Sequence, residues 1–168
     1  MRAELFSSDF LISFFIFLSA FIIIAAYFMN LQSDIAEANI RNDMYSRAIN
    51  IGSLLATTSG YPKYWDSNTV EVIGIYDSGK FNLTKFEELK SISYSNATKM
   101  LGSGYYRLNI NLKNVTGNII QKPSNPAFFY SYGIPPSNAE QIILVKRLGV
   151  GNLEGNATKI IMEVILWA

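Results

Sequence analysis

The chain of 168 residues has no cysteine and no histidine. Composition alone therefore excludes disulfide bridges, thiolate chemistry, Ser-His-Asp triads and the common zinc and haem sites. The missing cysteine does not fix a redox compartment; it says only that the fold is not stapled. An excess of charge of one sign is missing as well. The formal net charge is +1 and the basic residues are dispersed, unlike the basic stripe of a nucleic-acid binder. No glycine-rich phosphate loop is present, since Gly149 and Gly151 fall inside a strand-turn pattern and not at a strand-to-helix turn. The 13 carboxylates are scattered. The sequence points to no enzyme, no cofactor and no metal.

Charge is missing from residues 10–33, and no glycine or proline precedes Gly52. Residues 10–29 read FLISFFIFLSAFIIIAAYFM, with only Ser13, Ser19 and Tyr27 supplying polar side-chain atoms. Twenty such residues in a helix are about 30 Å long, the thickness of a bilayer's hydrocarbon core. The run is longer than the ~7–15 residues of a secretory signal core, and Ile24-Ala25-Ala26 is a poor cleavage site. Arg2, Glu4 and Asp9 precede it and Arg41 and Arg47 follow, which nearly balances the positive-inside rule.

The first glycine is Gly52 and the first proline Pro62. Helical periodicity continues past the apolar run. One stripe holds Leu31, Ile35, Ala38, Tyr45 and Ile49; a second, roughly opposite, holds Ile40, Met44, Ala48, Ile51 and Leu55. The pattern predicts one helix from about Leu5 to Ala56, on the order of 75 Å long. Two stripes fit a helix that packs on a globular domain with one face and on something else with the other. They also fit a helix inserted deeply in its own domain. The expected division is residues 1–58 for the helix (apolar 10–29, amphipathic 30–57) and residues 59–168 for a head.

The head reads as an antiparallel β-sheet with one or two short helices, giving an α+β fold. Gly60 and Pro62 stop the helix. Val70 to Tyr76 reads as a buried strand, followed by a turn at Asp77-Ser78-Gly79. Thr84 and Glu87 form a capping-box pattern, predicting a helix over about 85–92. A further helical turn over 95–101 closes at Gly102. Residues 105–113 alternate as a half-buried strand. Residues 123–137, with four prolines, read as a loop. Its aromatics Phe128, Phe129, Tyr130 and Tyr132 suit either a plug in the sheet's open end or a contact surface. Two strong strands, 141–150 and 159–167, flank a turn-rich segment and predict a hairpin.

Two features suggest modification or contact. Asn82, Asn96, Asn114 and Asn156 each open an Asn-x-Thr triplet, together using four of the seven threonines. Random placement gives about one such triplet, so an extracellular, N-glycosylated head is the expectation. Glu4 and Asp9 border the apolar run, where a carboxylate either stays solvated among headgroups or pairs with a neighbouring chain's amino terminus.

The plan of a charged border, an apolar helix, an unbroken amphipathic continuation and a β-rich head resembles the archaeal type IV pilin-like proteins. Local pieces that resemble such a family are Leu54-Leu55-Ala-Thr-Thr-Ser-Gly60-Tyr61-Pro62-Lys-Tyr-Trp65, Val72-Ile-Gly74-Ile75, Phe81-Asn82-Leu-Thr-Lys85, Lys146-Arg147-Leu148 and Trp167. The resemblance implies a filament subunit whose apolar helices leave the membrane and pack into a fibre core. Phe10, Phe14, Phe17, Phe21, Ile24 and Phe28 would lie in that core or, before assembly, in the membrane. It also implies a prepilin peptidase and pilus assembly machinery as partners, with leader cleavage at Arg2-Ala3-Glu4. Two features depart from the family pattern: the leader would have three residues, and Asp9 would become residue six where the family's acidic residue is usually the fifth. The implied function is a homopolymeric surface filament with exposed heads used in adhesion. The alternative is a single-span, membrane-anchored protein with a non-polymerising binding head.

Overall fold

The computed structural model describes residues 8–168, and the fold is α+β. The expected leader junction, Arg2, Ala3 and Glu4, lies outside the described residues, as does Glu4 as a partner for Asp9. Helix α1 runs Ser8–Thr57. Nothing before Gly52 interrupts its hydrogen-bond ladder, and at its end the Thr57 and Thr58 hydroxyls donate to Ser53 O (2.7 Å) and Leu54 O (2.8 Å). Gly60 then takes a left-handed φ of 77°, which turns the chain out of the helix.

By packing, the chain divides into Met1–Ile40 and Arg41–Ala168. In the first unit the described residues are all helical, and from Asp9 to Asp43 every residue except Ala25 is exposed. Phe10 stacks on Phe14 and Phe17 on Phe21, each pair one turn apart with centroids 6.4 Å distant.

The second unit holds the sheet. Its strands are β1 (Tyr76–Asp77), β2 (Lys80–Phe81), β3 (Arg107–Lys113), β6 (Ser131–Gly133), β7 (Ile142–Leu153) and β8 (Asn156–Trp167), in the order β1-β2-β7-β8-β3-β6. A separate hairpin joins β4 (Gln121–Lys122) to β5 (Asn125–Phe129), and two helices, α2 (Leu83–Ser91) and α3 (Tyr94–Leu101), complete the head. Alternation puts Leu108, Ile110, Leu112, Val145, Met162, Val164 and Leu166 on one face. They form one buried cluster with Met44, Ala48, Ile51 and Leu55 of α1. Gly52 suits this contact because its position lies against Val145, Arg147 and Val164, where a Cβ would meet Val145 Cγ1 at 3.4 Å. Arg147 donates to Ser53 Oγ at 3.0 Å across the same seam.

The antiparallel sheet has one parallel link, Phe81↔Gly151, between β2 and β7. Four local expectations need correction. Residues 70–75 are buried in part but are not a sheet strand. Their neighbours are the end of α1 and the turn after it: Ile75 N–H donates to Leu55 O, Tyr76 N–H to Thr58 O, and Tyr61 pairs with Val72. Helix α2 is capped by Asn82, whose side chain accepts from Lys85 N–H, and not by Thr84; Glu87 is instead drawn to Lys122 at 2.8 Å. The proline-rich stretch contains β5 and β6, because its prolines sit on edge strands or between strands. The β7–β8 hairpin extends to a two-residue turn, Glu154-Gly155, with φ of 47° and 93°, the conformation that matches strand twist.

The buried stripe of α1 carries the head's stability and the exposed one does not. Ile51→Ala is expected to cost about 2–5 kcal/mol, whereas Ile35→Ala stays within about 0.5 kcal/mol. Chemical unfolding in detergent, followed through the buried Trp65, measures both; equal losses contradict the packing described. Gly74→Ala drives a Cβ into Thr58 O and Gly60 N, both backbone atoms, and is expected to lower stability by about 1–3 kcal/mol in the same assay.

Candidate functional site

The outstanding chemical feature of the chain is the lateral surface of α1. Phe10, Phe14, Phe17, Phe21, Ile24 and Phe28 are all exposed, and Ile23 reaches 69%. An 18-residue window of this helix has mean hydropathy 2.6, so it is long and apolar enough to cross a membrane by length and composition. Its backbone is satisfied within the helix, and Ser19 Oγ donates to Phe15 O at 2.8 Å. Such a surface offers apolar contact and little else. It matches lipid tails or other helices of its own kind.

The two stripes separate in space. Met44, Ala48, Ile51 and Leu55 are buried against the sheet, while Ile40, at the head of that stripe, is exposed. Leu31, Ile35 and Tyr45 are exposed and Ile49 is half-buried. A helix buried all round in its own domain is therefore not what forms. A polar clamp fixes the helix within the second unit. Asp43 Oδ2 accepts from Arg47 Nε and from the Tyr106 hydroxyl, both at 2.9 Å. Arg47 Nη1 donates to Gly102 O at 3.0 Å, behind the end of α3. The hydrogen bond from Arg47, then that from Tyr106, holds the Asp43 carboxyl below the usual range.

A second clamp lies below the helix end. The Lys85 ammonium donates to Ser59 O and to Lys63 O (2.7 Å) and sits 5.9 Å from the Trp65 ring. Burial lowers its pKa. Trp65 Nε1 in turn donates to Ser59 O and Gly74 O. This network ties α2 to the turn after α1, a structural task that the sequence pattern does not reveal.

The four sequon asparagines all reach the head's surface. Asn96 and Asn156 are exposed; Asn82 and Asn114 are half-buried. Asn114 Oδ1 accepts from Thr116 N–H (3.0 Å), Thr116 Oγ1 (2.6 Å) and Asn118 N–H (3.0 Å). The aromatic segment divides its work. Tyr130 and Tyr132 are buried, donating to Glu87 Oε1 (2.8 Å) and Ile92 O (3.1 Å), while Phe129 stays exposed. Burial, then the Tyr130 bond to Glu87, pushes that phenol far up. An open groove of about 410 Å³ is lined by Asp77, Lys80, Asn82, Thr84, Asn152 and Glu154. Among the described residues no three His, Cys, Asp or Glu side chains gather as metal ligands.

Comparison with protein-family models, with curated proteins and with solved structures finds no match to this chain.

The Asp43 clamp has a defined pH dependence. Its folded pKa is depressed, so its contribution is present above the unfolded value of about 3.9 and is lost as pH falls through the folded value. Asp43→Asn is expected to flatten the acid limb of the stability profile, measured by thermal unfolding in detergent across that range. An unchanged acid limb contradicts the clamp.

Proposed function

We propose that this chain is the structural subunit of an extracellular filament of the archaeal type IV pilus kind. One observation carries the reading: from Asp9 to Asp43 every residue but Ala25 is exposed, and the same helix continues until Met44 to Leu55 are buried in the head. A surface of that length needs lipid or other copies around it. A plain anchor has no need of the exposed Leu31, Ile35 and Tyr45 beyond the apolar run.

In this reading the helix first sits in the membrane and then packs against its copies, leaving the heads outside. The heads are glycosylated at Asn82, Asn96, Asn114 and Asn156 and take part in adhesion; the chain is no enzyme and binds no nucleic acid. Assembly machinery and a prepilin peptidase are its transient partners. The second reading is a single-span anchor with a binding head. It is favoured by the match between 20 apolar residues and a bilayer, and it predicts a monomer or small oligomer in detergent.

The test uses filaments sheared from cells. They are expected to contain this chain, and Ile23→Lys is expected to abolish them, because a charge among apolar helices costs about 2.5–3.5 kcal/mol per copy even by the gentler membrane scales. Phe21→Ala leaves membrane insertion intact and weakens helix packing, so it is expected to reduce filaments while the chain stays in the membrane fraction. Wild-type amounts of filament from both variants contradict the proposal.

A further inference from the structure

The sheet has a second face, turned away from α1; it is covered toward β3, where Asn109, Asn111, Glu163 and Trp167 are buried, and uncovered along β7. Ile142, Leu144, Leu148 and Val150 stand there on alternate residues of β7, and all four are exposed, Leu148 to 80%. The charged outward positions of β3, β7 and β8 are Arg107, Lys113, Lys146 and Lys159 against one acid, Glu163. That acid is already taken. Glu163 is 5% exposed and lies 2.7 Å from Lys113 Nζ and 3.1 Å from Lys146 Nζ. Burial alone would raise its pKa, but the two ammonium groups outweigh this and keep it ionised. The face is thus apolar along β7 with a surplus of positive charge.

The same strand has an unusual edge. The sheet order puts only β2 beside it, at the single pair Phe81↔Gly151, so from Ile142 to Val150 no strand lines that edge among the described residues. Pairing with β7 of another copy is disfavoured: an antiparallel match centred on this stretch sets Lys146 opposite Lys146.

The complementary surface is on the helix. Residues 30–40 hold two acids, Asp34 and Glu37, and no base. Leu31 and Ile35 are exposed one turn apart. Their rise of about 6 Å is close to the roughly 6.7 Å between alternate strand residues, so they can lie along Leu148 and Val150, beside Lys159 of β8. We propose that the outward face of β7 and β8 receives residues 31–40 of α1 from a second copy, Asp34 and Glu37 meeting the exposed Lys159 opposite Val150. This rests on the filament reading and supplies its head-side contact. The pairing is heterologous, the kind of contact that propagates from copy to copy wherever its rotation does not close a ring.

The absence of cysteine permits a direct test. Full-length Ile35→Cys and Leu148→Cys chains are mixed in detergent, reassembled and oxidised. A disulfide-linked heterodimer is expected. Glu37→Lys or Lys159→Glu in the mixture lowers its yield roughly tenfold, and both together restore it; high salt weakens it as for other exposed charges. Circular dichroism confirms that each exposed-site variant is folded. Three outcomes overturn the proposal: crosslinks only between two Leu148→Cys chains, no crosslink in assemblies that electron microscopy shows to be filaments, or charge variants that lower binding to anionic vesicles and leave the crosslink unchanged. The second leaves the filament reading standing. Absence of both filaments and crosslink removes both, while a crosslink in small oligomers alone keeps the contact and removes the filament.

Discussion

Everything in this chain is subordinate to one uncovered apolar surface. Between residues 10 and 29 the large side chains are aliphatic or aromatic, and the protein folds none of them away. At roughly 1.5–3 kcal/mol for each such side chain removed from water, the run stands for some tens of kcal/mol. That exceeds the about 5–15 kcal/mol by which a domain is ordinarily stable. No rearrangement of the head compensates for it. In the proposed reading lipid covers it first and other helices of its kind cover it afterwards.

The head is built around the far part of the same helix. Met44, Ala48, Ile51 and Leu55 form a layer of its core, and Gly52 permits the close approach to Val145 and Val164. Polar clamps at Asp43–Arg47–Tyr106 and at Lys85 tie the surrounding loops to that layer. The helix is thus shared property: what makes the head stable from Met44 onward is continuous with what makes the earlier part need a partner. The outward sheet face supplies apolar and basic groups suited to the acidic, apolar segment between the two.

Much of this is legible in the residues because it depends on simple periodicity. The missing breakers announce the helix, the 3.6-residue stripes announce its two faces, and the alternation of Leu108, Ile110 and Leu112 announces β3. What is not legible depends on competition. Residues 70–75 have strand composition, yet the free carbonyls of Leu55 and Thr58 at the helix end take N–H groups that a ladder would use. Thr84 and Glu87 spell a capping box, yet Asn82, two residues earlier, is the cap and Glu87 turns to Lys122. The basic residues look dispersed along the chain, but pairing of β3, β7 and β8 gathers Arg107, Lys113, Lys146 and Lys159 on one face. Register, not local composition, creates that surface.

The most direct measurement asks whether protein covers the apolar run once the membrane is gone. Single cysteines at Phe17, Phe21, Ile24 and Phe28 in lipid-free sheared filaments are exposed to a water-soluble maleimide, with the 82%-exposed Tyr64 of the head as reference. The account predicts protection at all four helix positions and rapid labelling of Tyr64→Cys. Labelling along the helix as fast as at Tyr64→Cys would contradict it.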